Sequence, residues 1–594
     1  MTTTSAMCKT LCLIVYSFLL LGCNAEPQTM EFQDSDVEVS QTSVSDTSTP
    51  DNVLSPVGSA NPDGSVTPII NSFQDDTRRV SSSKSALGTN LLNLNDYSQT
   101  VPFVDLMRTA RPFQAQTWAD IANVEYNTDG WPIRLNGSEA VTIAHLSSPR
   151  QLEYVGDYVV LYEGEGKIEY RNDATLKTRS PGKDVISFKP TVGGGILLAI
   201  VELNEKNPIR NIKIMMPGGI CEGNIYVRVT NATACKTSKY LSFADNSEKI
   251  RFNPDFLSYI KDFSSLRFMD WMGTNNSILR TWGDNKKITD ATWSSFGIFT
   301  GTRIEDINSY GAPIEILVEL SNLVGIDPWF TFPHLADDNY IREFAKYVKN
   351  NLSADLKPYI EYSNETWNGQ FKQFNYVIEQ GKKLGLDDNV WIGGLKYYSR
   401  RSVEIFKIWE DVYSGAGWFT SVIASQAVNF WASNVILEFE NAYRHTDALA
   451  TAPYLNNYAT APEDIKTVDD VFASMDAEKT EWQGYVEGQA EVANRYSLDL
   501  IAYEGGQHLV STNDERLTEL YIAANRDPRM GQQLKWHMDA WRKAGGRHFA
   551  IYTSPGEFSK HGSWGLKEYL TQPRSQAPKY DALIRWKEEN PKWW

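Results

Sequence analysis

The feature that most constrains the fold is an alternation that begins near residue 252 and continues to the end of the chain. Short apolar runs with strand-like composition alternate with longer segments of helical spacing, such as "DDNYIREFAKYVKNNL". Seven such runs follow one another: "SLRFMDWMG", "PWFTFPHLA", "KPYIEYSNE", "FTSVIASQAV", "DALATAPYL", "LDLIAYEGG" and "RHFAIYTSP". Seven β/α steps in a row favour a closed parallel (β/α)8 barrel over an open sheet.

A closed barrel needs an eighth strand, and the best candidate is "TVPFVDLMRTARPF", residues 100–113. With this segment as the first strand, the barrel occupies residues 96–138 and 243–594. The alternative is a barrel that follows the small β domain and whose first strand is not apparent in the sequence.

The segment between these two barrel parts, residues 139–242, has a different pattern. Runs such as "YVVLYEGEGKIEY" and "NIYVRVTN" alternate apolar with polar residues and are separated by Gly-rich turns. Period-two alternation predicts antiparallel strands, so we expect a small β-sandwich domain inserted between the first and second barrel strands.

The amino-terminal region resembles a bacterial lipoprotein signal. Lys9 precedes the apolar stretch "LCLIVYSFLLLGC", which is short for a membrane span and ends in a lipobox-like Leu-Leu-Gly-Cys. The resemblance implies that residues 1–22 are a signal peptide, that Cys23 is lipidated, and that the protein is secreted to the bacterial cell envelope. Asn24 resembles the class sorted to the outer membrane. The alternative is an uncleaved anchor.

Residues 23–95 are rich in Ser, Thr, Asp and Pro, which predicts a disordered tether between the lipid and the folded body. Once the signal and Cys23 are set aside, Cys221 and Cys235 are the remaining cysteines. An even pair in an exported chain predicts a disulfide, and no metal-ligand spacing is left, so neither a metal nor a cofactor is expected.

The formal net charge is −17 and the sequence pI is near 5.0. Because no Lys/Arg run stands out, a nucleic acid is not an expected partner. The membrane contact is expected through the amino-terminal lipid only. An uncharged partner fits this balance better.

Polar residues at the carboxyl ends of barrel strands are the first candidates for an active site. Asn364 and Glu365 end the fourth strand, and Glu504 ends the seventh. Two carboxyl groups facing each other across one mouth are what glycosidic cleavage requires, because one protonates the leaving oxygen and the other acts at the anomeric carbon.

This register of an Asn-Glu pair and a later Glu is similar to clan A of the glycoside hydrolases, which are retaining (β/α)8 enzymes. The resemblance implies that Glu365 is the acid/base, that Glu504 is the nucleophile, and that Asn364 holds the sugar 2-hydroxyl. It also implies substrate-binding roles for His334, Tyr454, Trp564 and Arg267, with Arg280 competing for the role of the arginine.

Other residues near the strand ends complete the predicted site. Asp270 is a third candidate carboxyl group, while Trp271, Trp329 and Trp367 are candidates for stacking on pyranose rings. Core packing is the alternative for the aromatic residues and for His334. Glu361 lies four residues before Glu365, and we expect it to be a structural carboxylate paired with Arg267 or Arg280.

The ionisation of the two catalytic candidates must differ. Hydrogen bonds, for instance from Tyr454, should keep Glu504 charged, while burial and the charge of Glu504 should raise the pKa of Glu365. The leading hypothesis is therefore a secreted, lipid-anchored O-glycosyl hydrolase that acts on a polysaccharide or oligosaccharide. The alternatives are a non-catalytic carbohydrate-binding surface lipoprotein and an adhesive lipoprotein that binds through its β domain.

Overall fold

The computed structural model describes residues 85–115, 123–146, 154–296 and 310–594. Eight parallel strands close into a barrel in which each strand pairs with the next and the last pairs with the first. In order, they are Leu87–Asn90, Ser265–Arg267, Asp327–Phe332, Tyr359–Tyr362, Thr420–Ala424, Ala448–Thr451, Asp499–Ala502 and Phe549–Ile551. The predicted (β/α)8 barrel is confirmed, and all seven predicted runs from residue 252 onward supply a strand.

The first barrel strand was predicted wrongly. It is Leu87–Asn90 rather than residues 100–113, so the barrel begins inside the segment predicted to be a tether. The strand has only four residues, all buried, and contains Gly88. A Cβ at that glycine would lie 2.2 Å from Ser265 Oγ and 2.7 Å from His548 Nε2, so the neighbouring strands require glycine there. A strand this short gives almost no sequence signal.

Residues 100–113 instead join the barrel to the small domain. They contain a short 3-10 helix, Leu106–Thr109, capped by the Asp105 side chain. The backbone of Val104 hydrogen bonds to Arg251 O and to Met216 N, and Asp105 Oδ1 accepts from Ile214 N. The apolar residues of this segment are therefore buried as a connection between the two domains rather than as a barrel strand.

The inserted domain consists of two four-stranded antiparallel sheets, as predicted for a β-sandwich. One sheet has the order Gln114–Ala115, Ala140–Leu146, Gly195–Leu203 and Gly166–Asn172; the other has the order Arg210–Met215, Gly156–Glu163, Lys183–Phe188 and Ala174–Ser180. Two-stranded pairs add Glu125–Tyr126 with Pro132–Arg134, and Gly219–Cys221 with Tyr240–Ser242. The whole insertion lies between the first and second barrel strands. The predicted disulfide between Cys221 and Cys235 is confirmed, with its Cα atoms 5.4 Å apart.

Helices follow the barrel strands and cover the outside of the barrel. The α-helices are Pro254–Ile260, Ile314–Val324, Asp338–Asn351, Lys372–Lys383, Val390–Tyr413, Phe430–Glu438, Val468–Arg495, Glu515–Arg526, Pro528–Lys543 and Pro578–Glu589. Several begin at side-chain caps, such as Asp337, Asn389 and Thr467, which satisfy free backbone N–H groups of the first turn. None of the helices in the ranges given above is long and apolar enough to cross a bilayer.

The barrel interior is filled by its own buried cluster. It combines Trp329 and Tyr503 with aliphatic residues from the fifth to the eighth strand, namely Val422, Ala424, Ala448, Ala450, Ile501 and Ala550. Large rings set against alanines fill the tapering interior without a pore. The interior therefore forms a solid floor beneath the loops that follow the strands.

Candidate active site

The two predicted catalytic glutamates lie at the same end of the barrel. Glu365 follows the fourth strand, Tyr359–Tyr362, and Glu504 follows the seventh strand, Asp499–Ala502. The carboxyl ends of all eight parallel strands meet at one face, and loops at this face carry the active sites of such barrels. The structure links the two glutamates in two steps: Arg267 pairs with Glu504 and lies over the Tyr503 ring, and the Tyr503 hydroxyl donates to Glu365.

Arg267, at the end of the second strand, is the centre of that linkage. Its guanidinium is fully buried and pairs with two carboxylates at once. Nε and Nη2 donate to Glu361 at 3.0 Å each, and Nη1 donates to Glu504 Oε1 at 2.9 Å. The expected pairing of Glu361 with an arginine is confirmed, and Arg267 rather than Arg280 is the partner.

The remaining N–H groups of Arg267 are also used. Nη1 donates to Asn90 Oδ1 at 3.1 Å, and Nη2 donates to Asn364 Oδ1 at 2.9 Å. All five guanidinium N–H groups thus have protein acceptors. Arg267 therefore holds protein side chains in place, which corrects its predicted role in substrate binding.

Glu504 is 6% exposed, and both of its oxygens have donors. Arg267 Nη1 donates to Oε1, and the Tyr454 hydroxyl donates to Oε2, each at 2.9 Å. Burial raises the pKa of Glu504, while the Arg267 charge and the hydrogen bond from Tyr454 oppose that rise. The pKa of Tyr454 is raised well above its ordinary value by burial, so Tyr454 stays a donor at neutral pH.

Glu365 has different partners. The Tyr503 hydroxyl donates to Oε1 at 3.0 Å, and Asn368 Nδ2 donates to Oε2 at 2.9 Å. Both donors are uncharged side chains, in contrast to the arginine at Glu504. Burial, followed by the negative charge of Glu504, raises the pKa of Glu365 to about 7.

The backbone at Glu365 is unusual. Ser363 and Glu365 both have positive φ angles, 59° and 41°. Residues other than glycine rarely adopt this region, and such conformations are concentrated at functional sites. The backbone therefore leaves the strand conformation at this turn, and the Glu365 side chain contacts Tyr503 and Asn368.

The difference in partners separates the two carboxyl groups chemically. Glu504 is the one with a cation against it, so it ionises first. Its charge then helps to keep the proton on Glu365. Such a pair combines a carboxylate able to attack or stabilise a cationic centre with a carboxylic acid able to donate a proton.

A third carboxyl group, Asp270, lies in the same region. Burial and the charge of Glu504 raise its pKa to about 7, and the Asn93 backbone donates a hydrogen bond to it. Among the described residues, no hydrogen-bond partner is found for Asp270 Oδ2. Burial, followed by the charges of Asp270 and Glu504, raises the pKa of Tyr552, which lies just beyond the eighth strand.

The predicted aromatic residues fall into two groups. Trp271 is 1% exposed, packs on Phe103 and Phe256, and donates its indole N–H to Leu92 O. Trp329 is fully buried in the barrel interior. The predicted stacking of these two rings on sugar is therefore wrong, because each is enclosed in the core.

Two other tryptophans remain partly exposed. Trp564 makes edge contacts with the rings of Tyr454, Tyr552 and His508, with centroids 5.7, 5.7 and 5.0 Å away. Trp367 lies two residues after Glu365 and is also partly exposed. Both remain available to form the walls of a cleft.

Asn364 and His334 differ in their relation to the site. Asn364 accepts from Arg267 and donates to Asn275 Oδ1 at 3.0 Å. The His334 ring packs edge-on against Tyr376 at 5.2 Å, and burial lowers its pKa to about 4. Asn364 therefore belongs to the network around Arg267, whereas His334 is a neutral ring that packs on Tyr376.

Several residues of the site were not predicted from the sequence: Asn90, Asn368, Gln373 and Tyr503. Tyr503 directly precedes Glu504 and is buried inside the barrel, so strand alternation contained a usable signal. Asn368, three residues after Glu365, lies in a turn that the sequence does not specify. Within the described part of the chain, no group of three or more His, Cys, Asp or Glu side chains is placed to hold a metal ion.

No protein-family model matches the sequence, and no curated protein matches it. Among solved structures, the chain is similar to the GH51 arabinofuranosidase from Xanthomonas axonopodis pv. citri, with 11% identity and a TM-score of 0.34, covering 52% of this chain and 61% of that one. It is similar to a family 51 alpha-L-arabinofuranosidase from Bifidobacterium longum, with 13% identity, a TM-score of 0.32, and 52% and 62% coverage. It is also similar to a family 1 β-glucosidase from Thermotoga maritima, with 12% identity, a TM-score of 0.32, and 56% and 85% coverage.

The chain thus spans less than two thirds of the length of both arabinofuranosidases.

Proposed function

We propose that this chain is a retaining glycoside hydrolase that cleaves an oligosaccharide or polysaccharide by double displacement. The observation that carries the proposal is the unequal surroundings of two carboxyl groups at one barrel face. Glu504 contacts Arg267 and Tyr454, whereas Glu365 is held by Tyr503 and Asn368.

In the first step, the Glu504 carboxylate attacks the anomeric carbon while the bond to the leaving oxygen breaks. Glu365 transfers its proton to that oxygen, and a covalent glycosyl-enzyme forms. The raised pKa of Glu365 supports this role, because a group with a pKa of about 7 still carries a proton near neutral pH.

In the second step, Glu504 is an ester and no longer negative, so the pKa of Glu365 falls. Glu365 then takes a proton from water, whose oxygen attacks the anomeric carbon and releases Glu504 as the leaving carboxylate. The proton gained in this step restores Glu365 to its starting state.

The neighbouring residues support this division of roles. Arg267 and Tyr454 stabilise the negative charge on Glu504 before attack and after release. Asn364 is fixed by Arg267 and Asn275 beside Glu365, which is consistent with a role in holding the sugar 2-hydroxyl. The retaining outcome follows from the resemblance of Asn364, Glu365 and Glu504 to the clan A pattern.

The test is a panel of polysaccharides, oligosaccharides and aryl glycosides screened for released reducing ends. The anomer that forms first on the active substrate is then identified by proton NMR. Initial release of the retained anomer supports the proposal, whereas the inverted anomer refutes double displacement. Binding of a glycan without any hydrolysis favours the alternative of a carbohydrate-binding surface lipoprotein.

The proposal extends to the location of the protein. We infer that Cys23 is lipidated and holds the protein in the bacterial outer membrane; the motif Leu20-Leu21-Gly22-Cys23 supports this, and Asn24 supports the outer membrane. Cys23 itself lies outside the described residues. Labelling with a radioactive fatty acid in a bacterial host tests the inference, with Cys23→Ala expected to lose the label.

A further inference from the structure

A row of aromatic side chains leads from Glu504 toward the surface. Tyr454, which donates to Glu504, has the His508 ring at 5.4 Å and the Trp564 ring at 5.7 Å. The rings of His508 and Trp564 are themselves 5.0 Å apart. At the outer end of the row, the Tyr458 hydroxyl lies 3.4 Å from His508 Nδ1.

Tyr458 is the exposed member of the row, with 63% of its surface accessible. An exposed tyrosine is unremarkable when its backbone is free, but here the chain on both sides is anchored. Ser474 Oγ donates to Asn457 O at 2.8 Å and accepts from Thr460 N at 3.1 Å. The buried Asn457 side chain donates to the Tyr521 hydroxyl at 2.9 Å.

The loop that carries His508 is fixed as well. Leu455 N donates to Gly506 O, and His508 N donates to Leu455 O, each at 2.7 Å. These bonds continue the parallel pairing of the sixth and seventh strands beyond the barrel, so Tyr458 and His508 are held at a set spacing. A ring that is both exposed and rigid loses little entropy when a ligand covers it.

The charges around this row indicate what kind of ligand fits. Burial lowers the pKa of His508, so its ring is neutral near pH 7. The Glu478 carboxyl accepts hydrogen bonds from the backbones of Tyr458 and Ala459 and adds negative charge nearby. An anionic sugar is disfavoured beside that carboxylate, while an uncharged pyranose can cover the rings with its C–H face and hydrogen bond to the hydroxyl.

We propose that Tyr458 and His508 form a second sugar-binding position next to the two catalytic glutamates, and that it binds one uncharged pyranose unit of the substrate. This inference rests on the proposed glycosidase function. It predicts that the protein acts on chains of at least two or three sugar units in preference to a single sugar on a small leaving group.

The experiment measures binding to the full chain carrying Glu504→Gln, so that no substrate is consumed. The probes are uncharged gluco-, manno-, xylo- and galacto-oligosaccharides of two to six units, together with the matching p-nitrophenyl monoglycosides. In this background Tyr458→Ala is compared with Tyr458→Phe and with Trp418→Ala. Trp418 is a matched control because it is 59% exposed and lies before the fifth strand, at the opposite barrel end.

We expect Tyr458→Ala to raise the Kd of the best oligosaccharide about 10-fold. It should leave the Kd of the monoglycoside unchanged. Tyr458→Phe should retain most of the affinity, because it keeps the ring, and Trp418→Ala should have no effect. In the active protein, Tyr458→Ala should raise KM for the oligosaccharide with little change in kcat.

The inference is overturned if no oligosaccharide binds better than its monoglycoside, or if Tyr458→Ala weakens both equally. Its failure is distinct from failure of the proposed function. A chain that shows the length-dependent effect of Tyr458→Ala but never releases a reducing end retains the second sugar position and loses the hydrolase assignment.

Discussion

Tyr503 donates its hydroxyl to Oε1 of Glu365 at 3.0 Å, although the two residues belong to the seventh and fourth strand ends. Tyr503 also directly precedes Glu504, so one short segment of chain supplies the proposed nucleophile and a hydrogen bond to its acid/base partner. The position of the Glu365 carboxyl group relative to Glu504 therefore depends in part on the buried Tyr503 ring, which lies 5.0 Å from the Arg267 guanidinium.

Replacement of Glu504 with Gln should abolish hydrolysis and leave glycan binding largely intact, because the amide keeps the shape but cannot form the glycosyl-enzyme. We expect kcat to fall by ~10³-fold or more. Initial rates and calorimetric binding on the same substrate check this. The exposed helical residue Glu487 provides the control, because Glu487→Gln removes a carboxylate outside the site and should leave the activity unchanged. Full activity in Glu504→Gln refutes the assignment of Glu504 as the nucleophile.

Replacement of Glu365 with Ala should affect substrates unequally. A leaving group of low pKa departs without a proton, so aryl glycosides with nitro groups should keep most of the glycosylation rate. Azide should restore turnover by attacking the glycosyl-enzyme in place of activated water. Equal losses on good and poor leaving groups, with no glycosyl azide by mass spectrometry, would contradict the acid/base role.

The pH profile should report the ionisation of Glu365. Its pKa of about 7 means that kcat/KM should fall as pH rises through about 7, when the proton needed by the leaving group is lost. Tyr503 donates to the carboxylate and so lowers that pKa; Tyr503→Phe should therefore move the alkaline limb upward by about half a pH unit. A profile that moves downward, or not at all, argues against Glu365 as the titrating group.

Replacement of Arg267 with Met should destabilise the fold strongly. It leaves Glu361, which is fully buried, without its cation, and the expected loss is about 3 to 5 kcal/mol in the free energy of unfolding. Denaturant unfolding checks the value, with the exposed Arg280→Met as the matched control. The double variant Arg267→Met with Glu361→Leu should recover part of the lost free energy of unfolding. If Arg267→Met leaves the free energy of unfolding unchanged, the stabilising role of the ion pair is contradicted.

Replacement of Gly88 with Ala tests the corrected first strand. The new Cβ would meet Ser265 Oγ at 2.2 Å, so we expect a loss of about 2 kcal/mol or more. The double variant Gly88→Ala with Ser265→Ala lacks that oxygen and should recover part of the lost stability. Gly484→Ala is the control, because a Cβ there meets nothing within 4 Å, and thermal unfolding should show it unchanged or slightly stabilised.

The sequence predicted those parts of the molecule that repeat or that end a long apolar run. The seven later strands, the sandwich, the disulfide and the Glu361 pairing followed from periodicity, cysteine count and charge. The prediction of the first strand failed because its four residues have no hydrophobic pattern of their own. The need for glycine at position 88 comes from Ser265 and His548, which are distant in sequence.

The errors in the site have a related cause. Trp271 and Trp564 both follow barrel strands, and composition cannot distinguish the ring enclosed by Phe103 and Phe256 from the ring beside Tyr454. The resemblance to clan A implies a substrate-binding role for Arg267, because this residue matches the arginine of the second strand in that pattern. Only the three-dimensional arrangement shows that four side chains already use all of its donors.

Asn90 and Arg267 hydrogen bond to each other across 177 residues of sequence, with the β-sandwich between them. The barrel closes only when the first and second strands, at the two ends of the inserted segment, come together. The loss of chain entropy on joining these distant ends opposes this step. If the sandwich folds first, it shortens the effective length of chain between the first and second barrel strands. A folded insertion therefore brings the strand that carries Asn90 close to the strand that carries Arg267, and so favours the hydrogen bond between them.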